Sequence, residues 1–219
     1  MKKYIYLFIF ICSSCTTVRK SNSRFDGFNG MIIYRVSISY SGYNPQLASR
    51  QKQMGDTLKV YFKDDKYYMK YNGTDLIETW YDNNSGLQYN LIKDHDTLYV
   101  DNTKSSIDRL KESFAMNNTE RILGRVCNSY SIKSDNGEAI YFYDSSLYID
   151  PRRFCNHKFG FVDIYYKNCK APYLKHIKTS GGYTITYEAV EINETMPPDS
   201  IFNIPGQLPI YSLINMHRP

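Results

Sequence analysis

From residue 30 onward the chain alternates between apolar and polar positions. Ile32, Tyr34, Val36, Ile38 and Tyr40 share one side of a period-two pattern, with Ile33, Arg35, Ser37 and Ser39 on the other. That is the signature of a strand with one apolar face. A polar stretch over 43–56 follows, then Leu58, Val60 and Phe62 alternate with Lys59, Tyr61 and Lys63. Asp64-Asp65 turns the chain and Tyr67, Met69 and Tyr71 resume the alternation, which predicts a hairpin. Asn72-Gly73 reads as a type I′ turn, because both residues tolerate positive φ. It leads into strands over 76–81, 87–91 and 98–100, with Tyr89 on the apolar side of the second. Short turns make successive strands neighbours, so this half is an antiparallel meander in one curving sheet.

The period changes at Thr103. Ser105-Ser106 supplies a helix cap, Ile107, Leu110 and Phe114 recur at helical spacing, and Asn117-Asn118 supplies an end. A helix of about three turns is therefore expected there. Strands resume over 121–134 and 139–143 around the turn Asp135-Asn136-Gly137. Residues 144–172 carry Pro151, Arg152-Arg153, Cys155, His157, Gly160 and four clustered aromatics, without a sustained period, and predict short helical turns. A last hairpin turns at Ser180-Gly181-Gly182. Its second strand shifts phase, with Tyr183, Ile185, Tyr187 and Ala189 on one face and Val190 and Ile192 on the other, which a bulge near Ala189 explains. Pro197-Pro198 ends that strand, and Ile201, Phe202 and Ile204 form a short apolar strip before a tail. The fold class is mainly β with minor α.

Composition supports the pattern. Of 219 residues, 34 are aromatic, 22 of them Tyr, and such side chains suit pleated, half-buried surfaces. Tyr34, Tyr40, Tyr67, Tyr71, Tyr89 and Tyr187 share faces with aliphatic residues. A buried phenol needs a hydrogen-bond partner, so this mixture suits a partly wet concavity better than a dry, closed core. Simple packing of the same faces is the alternative.

The N-terminus adds a location. Lys2 and Lys3 precede an apolar run of nine residues, Tyr4 to Cys12, too short to span a bilayer and fitted to a secretory signal. Ser13, Ser14 and Cys15 follow and resemble the lipobox of bacterial lipoproteins, with Cys12 where an aliphatic residue is usual. The expected organisation is a signal peptide over 1–14, a lipidated Cys15 and tether over 15–29, a domain over 30–206 and a tail over 207–219. An ordinary cleaved signal and a soluble exported protein is the alternative. Loss of residues 1–14 lowers the formal charge from +5 to +3, with no basic stripe left for nucleic acid.

Candidate chemistry is sparse. Cys127, Cys155 and Cys169 remain in an oxidising compartment. Cys155 with Cys169 is the simplest disulfide, bridges from Cys127 being alternatives. His157 lies two residues from Cys155, a weak basis for a thiol hydrolase. His157, His176 and His217 lack the spacing of a helical zinc pair, and Asp94-His95-Asp96 reads as a turn. No nucleophile elbow, phosphate loop or cofactor motif is present.

The lipobox, the strand Gly30-x-Ile32-x-Tyr34, the run Ile122-Leu123-Gly124-Arg125-Val126-Cys127, the strand Ile140-Tyr141-Phe142-Tyr143 and the closing Ile201-Phe202-Asn203-Ile204-Pro205 together resemble the outer-membrane lipoprotein carrier superfamily over residues 28–206. The resemblance implies a half-open antiparallel β-barrel of about ten or eleven strands, with one or two short helices over its mouth and a concave apolar side. It makes the 105–117 helix a lid candidate. The expected protein is a non-catalytic envelope lipoprotein. It would be anchored in the outer membrane by its acyl group, facing the periplasm, and would bind a lipid or acyl chain. Tyr34, Val36, Ile38, Tyr67, Met69, Tyr89, Leu110, Phe114 and Tyr187 are the candidate contacts. The rival is a filled sheet that docks on another envelope protein.

Overall fold

A computed structural model describes residues 27–42 and 49–212, apart from the side chains of 76 and 77. The signal segment, Cys12, Cys15 and the tether up to residue 26 lie outside the described residues, as does His217. Among the described residues twelve strands form one sheet: β1 (Gly30–Tyr40), β2 (Thr57–Lys63), β3 (Lys66–Tyr71), β4 (Leu76–Asp82), β5 (Leu87–Ile92), β6 (Leu98–Asn102), β7 (Leu110–Ile122), β8 (Arg125–Ser134), β9 (Gly137–Tyr143), β10 (Tyr173–Ser180), β11 (Tyr183–Asn193) and β12 (Ile210–Ser212). Their order is β12-β6-β5-β4-β3-β2-β1-β11-β10-β9-β8-β7, antiparallel throughout except for β12 beside β6, and the sheet does not close. A short helix α1 (Arg50–Met54) follows β1, and α2 (Val162–Cys169) lies between β9 and β10 after two single 3₁₀ turns at Pro151–Phe154 and Phe159–Phe161.

The alternation read from the sequence sets the inner face. Ile32, Tyr34 and Val36 of β1 and Leu58, Val60 and Phe62 of β2 are buried, each contributing about 1.5–3 kcal/mol by leaving water. The phase shift in β11 is the expected bulge: Tyr34 faces Ala189 and Ile33 faces Glu191, leaving Val190 as the extra residue. Phe154, Phe161, Tyr165 and Tyr166, from the irregular 144–172 segment, pack onto this face as a cap. Arg153 fixes the cap to the sheet. Its fully buried guanidinium donates to the carbonyls of Phe28 (2.7 Å) and Asp64 and to Asn29 Oδ1 (2.9 Å).

The outer face carries its own apolar cluster over β2–β6. There Tyr68, Trp80 and Leu98 form a second cluster with Tyr89 and Leu91, covered by Ile201, Phe202, Ile204 and Leu208 of the C-terminal segment. Trp80 Nε1 donates to the Ile201 carbonyl at 3.2 Å.

Several expectations are corrected. The helix over 105–117 does not form; β7, a 13-residue edge strand, begins at Leu110. A helix there would have had nothing to bury its stripe against, and Ile107, Leu110 and Phe114 remain 69%, 37% and 39% exposed. Pairing with β8 satisfies the backbone instead, broken by a bulge between Met116 and Glu120 that holds Asn117-Asn118. Strand β12 falls in the expected tail, which with β7 raises the count to twelve. Asn72-Gly73 is no type I′ turn, since neither residue has positive φ. Asn72 Oδ1 instead accepts from the N–H groups of Asp56 and Thr57, both at 3.0 Å. Gly73 sits so close to α1 that a Cβ would lie 2.0 Å from the Gln53 carbonyl oxygen.

Candidate functional site

Between the cap and the concave face of the sheet lies a cavity of about 620 Å³. Three walls define it. Val60 and Phe62 of β2 with Tyr67, Met69 and Tyr71 of β3 form the first. Tyr141 of β9, Tyr173 and His176 of β10 and Tyr187 of β11 form the second, and Phe161, Val162, Tyr165 and Tyr166 close the top. The rings brace one another: the His176 ring is stacked between Tyr141 (4.4 Å) and Tyr187 (5.6 Å), and Tyr141 meets Tyr165 at 4.3 Å. Mutual packing of this kind holds a wall in place without filling the space in front of it.

A third wall is polar. Thr79 of β4 and Gln88 and Asn90 of β5 line the cavity beside Tyr67. The Tyr67 hydroxyl donates to Gln88 Oε1 (3.1 Å) and lies 2.8 Å from His157 Nε2. Gln88 Nε2 and Thr79 Oγ1 both donate to Asn90 Oδ1 at 3.0 Å, and Asn90 Nδ2 donates to Asp101 Oδ2 at 3.0 Å. Polar groups also mark the rim, among them Asp108, Glu138 and Lys178.

Burial governs the titration of these groups. It raises the phenols of Tyr67, Tyr173 and Tyr187 well above their usual range and Tyr71 to about 12, so all stay neutral hydrogen-bonding groups. It lowers His157 to about 4; it also lowers His176 to about 3, with the positive charge of Lys178 adding to the effect. His157 Nδ1 and His176 Nε2 are shielded from solvent and have no hydrogen-bond partner among the described residues.

The expected contacts divide. Tyr67, Met69 and Tyr187 line the cavity. Tyr34 and Val36 lie in the core beneath it, with the Tyr34 hydroxyl donating to the Tyr173 carbonyl at 2.8 Å, and Ile38 packs at the edge of that core. Tyr89 is on the opposite face of the sheet, in the outer cluster. Phe114 faces outward on β7 with Lys133 Nζ 5.3 Å from its ring centre, and neither it nor Leu110 lines the cavity. Gln88, Asn90 and the cap tyrosines were missed, because an alternating strand is ordinarily read with its apolar side inward. Cys127, Cys155 and Cys169 are free thiols, so the Cys155–Cys169 bridge is not formed. Cys169, the last residue of α2, is buried while Cys155 is exposed, its Sγ 3.9 Å from Asn83 Nδ2. The His157 ring is engaged with Tyr67.

No family model matches the sequence, and no curated protein matches it. Among solved structures the chain is similar to PNGF-II in two crystal forms, with TM-scores of 0.48 and 0.46 at 12% and 13% identity. Those matches cover 85% and 84% of this chain but 32% and 31% of PNGF-II, so the chain spans about a third of that protein's length. It is also similar to the LolA superfamily protein NE2245 from Nitrosomonas europaea, with a TM-score of 0.38 at 8% identity over 83% of this chain and 93% of that one.

Proposed function

We propose that this chain is an envelope lipoprotein that binds an apolar or amphipathic ligand, such as a lipid acyl chain, in the cavity beneath its cap, without catalysis. The cavity itself carries the reading. Its volume of about 620 Å³ lies within the range of small-molecule sites, roughly 300–1,000 Å³. Its walls are mostly aromatic and aliphatic, with Met54 and Met69 able to adapt to an irregular occupant. Tyr67, Met69, Tyr141 and Tyr187 are the proposed chain contacts. An acylated Cys15 would precede Gly27 by eleven intervening residues, a tether of up to about 40 Å when extended. That reach lets the domain work clear of the membrane surface.

Non-catalytic binding agrees with the placement of Cys155 and His157, whose side chains engage different partners, Asn83 and Tyr67. Docking on an envelope protein is favoured by one observation, the unpaired 13-residue edge of β7, which suits strand addition by a partner. Fluorescence titration with diphenylhexatriene tests the ligand reading. Saturable binding that lipid extracted from the purified protein displaces is expected. No saturable binding to protein stripped of lipid would leave only the docking reading.

A further inference from the structure

We infer that the ligand carries a neutral hydrogen-bond-accepting headgroup, an ester or amide carbonyl, seated on Gln88 and Asn90. This rests on the ligand-binding reading and deepens it. The signal is an inversion on β5. Its apolar residues Tyr89 and Leu91 face outward, against the cluster covered by the C-terminal segment, while Gln88 and Asn90 face the cavity. A site meant for hydrocarbon alone has no use for two primary amides on its wall, since each must find partners there or leave hydrogen-bonding capacity unmet.

The hydrogen-bond inventory shows what is left over. Each amide nitrogen carries two hydrogens. Gln88 Nε2 spends one on Asn90 Oδ1, and Asn90 Nδ2 spends one on Asp101 Oδ2. The second N–H of each has no partner among the described residues. Thr79 and Tyr67 direct their hydroxyl protons at Asn90 Oδ1 and Gln88 Oε1, so both amide oxygens are occupied. The wall therefore offers donors. Residues two apart on a strand are separated by about 6.6 Å, enough for two acceptors of one headgroup.

Charge decides between kinds of acceptor. The Asp101 carboxylate accepts from Asn90 Nδ2, and among the described residues no lysine or arginine of β4 or β5 lines the cavity, so this wall suits an uncharged carbonyl better than a carboxylate or phosphate, whose charge would find no cation there. Among the described residues, the lysine or arginine lining the cavity is Lys178, on β10, across the sheet from β5. A free fatty acid would seat its carboxylate there instead, leaving Gln88 and Asn90 unused.

The test uses 1-monooleoylglycerol and oleate as competitors against diphenylhexatriene, with the wild-type protein and the variant Gln88→Leu/Asn90→Leu. The wild type should bind monooleoylglycerol about ten-fold more tightly than oleate. The variant should lose about ten-fold more affinity for monooleoylglycerol than for diphenylhexatriene, as expected for two lost hydrogen bonds. A wild-type preference for oleate, or equal affinity for both, overturns the inference without any variant and leaves the ligand-binding reading standing. A folded variant with its monooleoylglycerol preference intact overturns it equally. Failure of all three probes to bind the wild type removes the ligand-binding reading itself.

Discussion

Arg153 is the residue on which the cap depends. Its guanidinium is fully buried and its three acceptors, two carbonyls and an amide oxygen, come from the chain ahead of β1 and from the β2–β3 turn. Burial lowers its pKa to about 10, so it is still charged at neutral pH. Replacement by Leu removes the charge together with the donors to the Phe28 and Asp64 carbonyls, while Asn29 Oδ1 still accepts from the Asp64 N–H at 2.9 Å. Arg153→Leu should cost about 3–5 kcal/mol, read as a lower urea midpoint at constant m-value. The histidines act in the opposite sense, because the fold keeps them neutral. The unfolded chain takes up a proton at each near pH 6.5, whereas folded His157 resists protonation down to about pH 4 and folded His176 to about pH 3. Stability is therefore complete above pH 6.5 and falls as the pH drops from there toward 3–4, by up to about 1.4 kcal/mol per pH unit for each ring. His157→Gln should flatten that slope between pH 6.5 and 4 in urea titrations. An equally steep profile in the variant would show that carboxylates elsewhere govern acid unfolding.

At the scale of elements, legibility followed burial. Strands with one face in the core announce themselves: the run Ile32 to Ile38 and the shift at Val190 both follow from side chains that must point inward. β7 has no such requirement. Glu112, Phe114 and Met116 share one side of it, both faces are largely wet, and its apolar residues fell at helical spacing by accident of composition. What makes it a strand is the free edge of β8, a tertiary fact that no local pattern contains. β12 is three residues long, too short for any period to register. The correction carries a prediction. If Leu110 and Phe114 belong to an outer edge and not to a lid, Leu110→Ala and Phe114→Ala should leave diphenylhexatriene affinity unchanged. Each should shift the urea midpoint by less than about 1 kcal/mol. A several-fold loss of affinity in either would restore the lid.

For the whole molecule, the decisive feature is that the sheet exchanges its apolar side along its width. Over β1 and β2 the apolar residues face the cap, whereas over β4 and β5 much of the apolar surface faces the C-terminal segment. The sequence shows both alternations but not the sidedness, because Leu87-x-Tyr89-x-Leu91 and Leu58-x-Val60-x-Phe62 are equivalent until a covering segment is placed. Hence Tyr67, Met69 and Tyr187 were legible as cavity residues, and Gln88 and Asn90 were not. A cavity of this size also leaves its aromatic walls without contacts on one side, a deficit that an occupant removes only in the folded state. Ligand binding must then raise thermal stability by mass action. At a free ligand concentration one hundred times Kd the gain is about 2.7 kcal/mol. For a chain of this length that corresponds to a Tm increase of roughly 5–10 °C. Calorimetry of the lipid-stripped protein across a monooleoylglycerol series below its aggregation limit should show Tm rising with the logarithm of concentration once the site is full. A constant Tm across a hundredfold span above the Kd from displacement would mean that the ligand binds folded and unfolded chains alike and so does not occupy the cavity.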